Sequence, residues 1–209
     1  MFSRFSFRTI ATLTTAFALA HTSFGDAQTT NTGNAPTAAS AIEASGAQTG
    51  RYSVETVNAF LEQFVGTWEG KYSISTMEGQ VLKALEVQMT YEWEQAGDTQ
   101  VLVNQSIYSE GEQINISQSK SYFWRGRLAS EVTENDVKRV YLGTISQDGK
   151  KVSWNPVNTE DFTRTAIEES FTSVDGQPTL KIQGYEDYTK GVRRKMLLLS
   201  GSLTRVKAE

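Results

Sequence analysis

Residues 64–70, Phe-Val-Gly-Thr-Trp-Glu-Gly (FVGTWEG), lie where the periodicity of the chain changes. The segment before them, 53–64 (SVETVNAFLEQF), has apolar residues at helical spacing and begins with Ser53, a favourable N-cap. After Gly66, the apolar residues Trp68 and Tyr72 alternate with polar ones, as in a half-buried strand. The stretch therefore predicts one short helix that ends at Gly66 and passes directly into a first β-strand.

The period of two continues through most of the chain. The clearest run has apolar residues at 85, 87, 89, 91 and 93 and mostly polar ones between them. Further strands are predicted at 100–108, 113–118, 120–132, 137–146, 151–155, 163–173, 179–185 and 193–206, separated by Gly, Asp and Asn turn signals. A sandwich and a barrel both fit this pattern. The leading helix favours an all-β, closed, antiparallel, up-and-down β-barrel of about 8–10 strands preceded by one short helix, over residues 51–209.

A helix followed by Gly-x-Trp and then by antiparallel strands resembles the lipocalins and the wider calycin superfamily. The match is closest to uncharacterised lipocalin-like domains of exported bacterial proteins, and its motif is Gly66-Thr67-Trp68. The resemblance implies that Gly66 lets the chain turn into the first strand and that Trp68 seals one barrel end beneath the helix. It also implies an Arg packed on the indole, with Arg205 as the match and Arg193 or Arg194 as alternatives.

The N-terminus has the pattern of a secretory signal peptide. Arg4 and Arg8 precede a short apolar run that ends in Ala18-Leu19-Ala20. Residues 1–20 are therefore expected to be removed on export, to a periplasmic or extracellular location. Residues 21–50 are rich in Thr, Ala, Gly, Asn and Ser and have no apolar period, so we interpret them as a flexible low-complexity tether.

The composition excludes several kinds of chemistry. There is no Cys, and the single His is His21 in the tether, so His- or Cys-based catalysis and the usual zinc sites are excluded from the barrel. We expect no metal, no cofactor and no lipid anchor of the type that needs a Cys at the cleavage site. After cleavage the chain would have 18 basic and 24 acidic residues without a basic stripe, so nucleic acid is not an expected partner.

Large side chains on the apolar face of the predicted strands are the candidate ligand-binding residues. They either fill the barrel as ordinary core or line a cavity for a small, largely apolar ligand, and the sequence leaves both interpretations open. The carboxylates Glu92 and Glu94 and the pairs Glu160–Asp161 and Glu168–Glu169 are interpreted as solvated, the members of each pair facing opposite ways. The six candidates are Tyr72, Met89, Tyr91, Trp93, Tyr122 and Trp124.

Three functions compete on this pattern. The first is an exported, non-catalytic barrel that binds a small hydrophobic ligand in its lumen. The second is an enzyme on the same barrel that uses carboxylate and Tyr groups. The third is a small outer-membrane β-barrel, because alternation alone does not show which face of a strand points inward.

Overall fold

The structure is a computed structural model that describes residues 51–134, 137–157, 164–190 and 193–207. The predicted signal peptide at 1–20 and the tether at 21–50 lie outside these residues. The carboxylate pair Glu160–Asp161 lies outside them as well.

One α-helix, α1, spans Val54–Leu61 and is followed by a 3-10 turn at Glu62–Phe64. The Ser53 side chain accepts a hydrogen bond from the Thr56 backbone N–H, which satisfies one of the free donors of the first turn. The helix buries one face, formed by Val57, Phe60 and Leu61. The helix predicted from the apolar spacing is therefore present.

The described residues form ten antiparallel strands that close into a barrel, in which each strand pairs with its neighbours in sequence and β1 pairs with β10. This up-and-down order confirms the predicted fold class. The strands are β1 Gly66–Thr76, β2 Val81–Ala96, β3 Thr99–Glu110, β4 Gln113–Trp124, β5 Arg127–Glu134, β6 Val137–Ile145, β7 Lys151–Pro156, β8 Arg164–Val174, β9 Gln177–Lys190 and β10 Arg193–Arg205.

The predicted boundary between the strands at 113–118 and 120–132 is wrong. The chain runs through position 119 as part of β4 and turns at Arg125 and Gly126, whose φ angles are 47° and 84°. The inward positions of β4 include Ser117, Ser119 and Ser121, so the strand lacks the apolar alternation that marks the others. Without that signal, the sequence pattern placed the turn too early.

The helix lies across one end of the barrel, which we call the helix end. Tyr52 N–H donates to the Gly126 carbonyl at 2.8 Å, and the Ile145 N–H donates to the Tyr52 hydroxyl at 2.9 Å. Gln63 Nε2 donates to the Gly149 carbonyl at 2.9 Å. These bonds join the helix to the β4–β5 turn, the end of β6 and the β6–β7 turn. The β1–β2 and β3–β4 hairpins lie at the opposite, far end.

Within the described ranges, no helix combines the length and the apolar character needed to cross a lipid bilayer.

Candidate functional site

The helix end is held together around Trp68. Gly66 has a φ of 108°, a conformation that residues with a side chain rarely adopt, and this allows the turn into β1. The Trp68 indole is 1% exposed, and its Nε1 donates to the Phe64 carbonyl at 2.6 Å. The Arg205 guanidinium lies 4.7 Å from the centre of the indole ring and donates to the Gln63 carbonyl. First and last strands are thus both tied to the 3-10 turn.

Aromatic rings form the floor of the lumen at this end. The ring of Phe64 lies 5.2 Å from that of Tyr91 and 4.6 Å from that of Phe171, measured between centroids. Phe60 and Trp68 are each 6.0 Å from Phe171. The helix therefore closes the barrel through ring contacts, which contribute beyond the area they bury.

Four of the six predicted ligand-binding residues contribute to the barrel interior. Tyr72 on β1 and Met89 and Tyr91 on β2 are buried in the main core cluster. Trp93 is only half-buried at the helix end, packs against that cluster, and donates from Nε1 to Glu62 Oε2 at 2.7 Å. These side chains form an aromatic wall of the lumen.

Tyr122 and Trp124 do not lie in the lumen, so their prediction as lumen residues is wrong. They lie on the outer face of β4, against a small outer cluster formed by Ala129 and Leu142. Tyr122 Oη donates to Glu131 Oε1 at 2.7 Å. Tyr122 and Trp124 thus occupy outer positions of β4, whereas Phe123 shares the inward side of the strand with the serines and packs against the main core cluster.

The sequence pattern did not indicate a second wall of the lumen, which begins on β3, the strand next to β2. This serine wall consists of small polar side chains on adjacent strands, all buried. Two bonds within it are Ser106 Oγ to Asn104 Oδ1 at 2.6 Å and Ser121 Oγ to Ser130 Oγ at 3.0 Å. Serines at every second position of β4 are the signal that could have revealed it. The wall is formed by Asn104 and Ser106 of β3, Ser117, Ser119 and Ser121 of β4, and Ser130 of β5.

Glu169 on β8 is a buried acid that was interpreted as solvated, and that interpretation is wrong. It faces inward and is 1% exposed, whereas its neighbour Glu168 faces out and forms an ion pair with Lys151 at 3.0 Å. Trp154 Nε1 donates to Glu169 Oε2 at 2.7 Å. Burial raises the pKa of Glu169 from 4.5 to about 7, against the lowering effect of the bond from Trp154.

Polar groups also line the lumen beyond Glu169. Burial raises the pKa of Tyr72 well above its ordinary value, and the charges of Tyr108 and Glu186 raise it further. The pKa of Tyr91 is raised by burial and by the charges of Glu169 and Tyr108. The three tyrosines and the acids Glu169 and Glu186 are all buried.

Several buried atoms of the lumen have no hydrogen-bond partner in the part of the chain that the structure describes. They include the Tyr72 hydroxyl, the Ser117 hydroxyl and Glu169 Oε1. Buried polar atoms in native proteins are nearly always paired, with protein, water or a ligand. The lumen therefore offers hydrogen-bonding groups on both of its walls.

The outer surface of the barrel carries a polar groove. The outer faces of β2, β3 and β4 form a groove of about 420 Å³, lined mainly by polar side chains such as Glu92, Glu94, Gln118 and Lys120. Glu92 and Glu94 are solvated, as expected from the sequence. Over the described ranges, no three Asp, Glu, His or Cys side chains come together as metal ligands would.

The closed barrel with a helix over one end is a lipocalin-like fold, and the comparison with known proteins supports that class. A solved structure with this fold is the S-type phycobiliprotein lyase CPES from Guillardia theta. The two chains are 13% identical with a TM-score of 0.53, and the match covers 80% of this chain and 98% of the lyase. At this identity the likeness shows the fold alone.

A second match is a protein of unknown function from the DUF3598 family of Nostoc punctiforme, 8% identical with a TM-score of 0.24, over 70% of this chain and 98% of that one. No family model matches the sequence, and no curated protein matches it either.

Proposed function

We propose that this barrel binds a small, largely apolar ligand in its lumen and does so without catalysis. The observation that carries the proposal is the pair of unlike walls: large rings on β1 and β2, and the serine wall on β3–β5. A cavity lined mostly by apolar and aromatic groups, with a few polar atoms to orient the ligand, is the usual form of a small-molecule site.

The unpartnered hydroxyls of Tyr72 and Ser117 support the same proposal. Leaving a buried polar group without a hydrogen bond costs about 1–3 kcal/mol. A core selected only for stability would replace such groups with apolar ones of similar shape. Retaining them is reasonable if they bond to a ligand or to waters that a ligand displaces.

The fold comparison suggests one ligand to try. The similar solved structure is that of a phycobiliprotein lyase, so a bilin is a reasonable member of any ligand panel for this chain. The panel should also contain fatty acids and planar aromatic compounds, because the aromatic wall would accept all three classes.

A hydrophobic fluorescent probe tests the proposal. The full chain should bind the probe with a saturable shift in Trp emission. Tyr91→Ala should weaken binding roughly tenfold, because it removes ring contacts with the ligand. A tenfold change in Kd corresponds to a binding free energy of about 1.4 kcal/mol. Tyr122→Ala is the matched control: it removes the same side chain from the outer face of the barrel and should leave the affinity unchanged.

Equal loss in both variants would contradict lumen binding, and so would the absence of saturable binding by the wild-type chain. Near-ultraviolet circular dichroism of each variant confirms that the barrel is folded before affinities are compared.

One observation favours an enzyme as the second candidate. Glu169 has a pKa of about 7 and lies near Tyr91, and a carboxyl titrating near neutral pH is suited to general acid–base catalysis. In that case Glu169→Gln would abolish turnover of the ligand while leaving its affinity nearly unchanged.

The outer-membrane alternative needs an apolar outer band, but exposed Lys71 and Glu86 form an ion pair on the outer face of β1 and β2.

We also propose that the protein is exported and that residues 1–20 are removed. The support is the basic start with Arg4 and Arg8, the short apolar run and the small residues Ala18 and Ala20. N-terminal sequencing of the protein from its own host should find a mature chain that begins at or near His21. Abundant protein that still carries Met1 would contradict export.

A further inference from the structure

A small cavity lies between the helix end and the serine wall. Its volume is about 10 Å³, which is close to the smallest space that holds one water molecule. Its wall on the helix side is formed by Leu61 and Phe64, and its polar wall by Ser119, Ser121 and Glu169. The remaining lining residues are Tyr91, Leu102 and Trp154.

The polar atoms around this cavity suit a single water. Glu169 Oε2 accepts from Trp154, while Glu169 Oε1 has no hydrogen-bond partner within the described ranges. The Ser121 hydroxyl donates to Ser130 and keeps its lone pairs for another donor. A water in the cavity could therefore bond to the carboxyl and to a serine, which gives it the two or more partners that a buried water requires.

The surroundings of Glu169 favour its neutral form. None of the eight lining residues is basic, and Tyr91 is the other titratable group among them. The register partners of Glu169 on the neighbouring strands, Val152 of β7 and Ile182 of β9, are apolar. The other elements around the cavity contribute Leu61 of α1, Phe64 of the 3-10 turn, Tyr91 of β2, Leu102 of β3, two serines of β4 and Trp154 of β7. A charge formed here would be uncompensated, which is costly in an apolar setting.

We propose that Glu169 and this cavity form a buried proton-binding site that controls how firmly the segment Val54–Phe64 closes the barrel. With the carboxyl protonated, Leu61 and Phe64 pack over a neutral group and its water. When the carboxyl ionises, the cavity must admit more water to hydrate the charge. The described lining of the cavity consists of barrel strands and of the helical segment, so the helical segment is the wall that can move to admit it. Loss of the proton therefore loosens the segment.

The direction of the pH effect follows from the raised pKa. An open or unfolded state, with the carboxyl in water, loses its proton near the ordinary value of 4.5, and the closed state near 7. Closure is firmest below about pH 4.5, weakens as pH rises through the interval between these values, and is constant above it. Each unit of difference between the pKa in the closed state and the pKa in the open state changes the opening equilibrium tenfold.

Hydrogen exchange on the full chain tests this inference. Between pH 5 and pH 8, after correction for the chemical exchange rate, amides of the segment should lose roughly a hundredfold in protection. Glu169→Gln keeps the shape and cannot ionise, so its protection should be independent of pH. Glu168→Gln is the matched control on the outer face and should behave as wild type.

Unchanged protection in wild type would overturn the proposal, as would an equal pH dependence in wild type and Glu169→Gln. If Glu169→Gln does not fold, isotope-edited infrared spectroscopy can follow the carboxyl groups of the wild-type protein. A buried carboxyl that titrates near neutral pH supports the site. If no carboxyl titrates above pH 5.5, the proposal is overturned. The experiment contains no ligand, so its result is independent of the proposed binding function.

Discussion

Replacing Trp68 with Ala should lower the free energy of unfolding by about 3–5 kcal/mol, the range for a fully buried indole. The side chain fills the helix end, and its loss also removes the donor to the Phe64 carbonyl and the surface on which Arg205 stacks. The carbonyl and the guanidinium would both lose a partner in a buried setting, which adds to the cavity cost.

Urea denaturation followed by circular dichroism measures this loss. Trp124→Ala is the control, because Trp124 packs on the outer cluster and against Arg125, and it should cost about 1–2 kcal/mol. A loss below about 1 kcal/mol for Trp68→Ala would show that the helix end does not depend on this residue.

The barrel could be predicted from the sequence because each strand has one buried face and turns mark most strand ends. The run from Leu85 to Trp93 shows the alternation that follows from this arrangement. The change of period at Gly66 located the junction of helix and sheet, since a helix and a strand cannot share an apolar spacing. Both signals are local, so they can be read without knowing the partner strand.

The candidate site was less predictable, because the assumption that polar residues face solvent fails on β4. Ser117, Ser119 and Ser121 are small enough to be buried inside the barrel, and the Ser121 hydroxyl bonds to Ser130 of the adjacent strand. Applying the alternation rule there assigned Tyr122 and Trp124 to the lumen, whereas both face outward. A pattern within one strand cannot show which of two partly apolar faces meets the core.

Glu169 illustrates a second limit of sequence patterns. The pair Glu168–Glu169 predicts that the two carboxylates face opposite ways, and they do. What makes one of them buried is a distant partner, the Trp154 indole on β7, together with the wall formed by the helical segment. Those contacts depend on barrel closure, and no local spacing encodes them.

A second large loss of stability is expected where the barrel closes. Gly70→Ala should lower the free energy of unfolding by about 3 kcal/mol or more, at the upper end of the usual cost of overpacking. Gly70 lies on β1 opposite Leu203 of β10, at the seam where first and last strands meet. A Cβ on Gly70 would lie 2.1 Å from the Ser202 carbonyl oxygen and 2.8 Å from the Leu203 Cα. These are backbone atoms, so no side-chain rotation can relieve the contact.

Gly201→Ala is the matched control, since Gly201 lies on the same seam and differs in what its Cβ would meet. The nearest atom is Cδ2 of the Tyr72 ring, at 2.8 Å. The ring can shift, so the loss should be about 1–2 kcal/mol, and it should shrink further in combination with Tyr72→Leu. Thermal and urea unfolding of the variants measure these differences. If Gly70→Ala proves no more destabilising than Gly201→Ala, the strands at the seam can separate locally at little cost, and closure of β1 on β10 is not what limits the stability of the barrel.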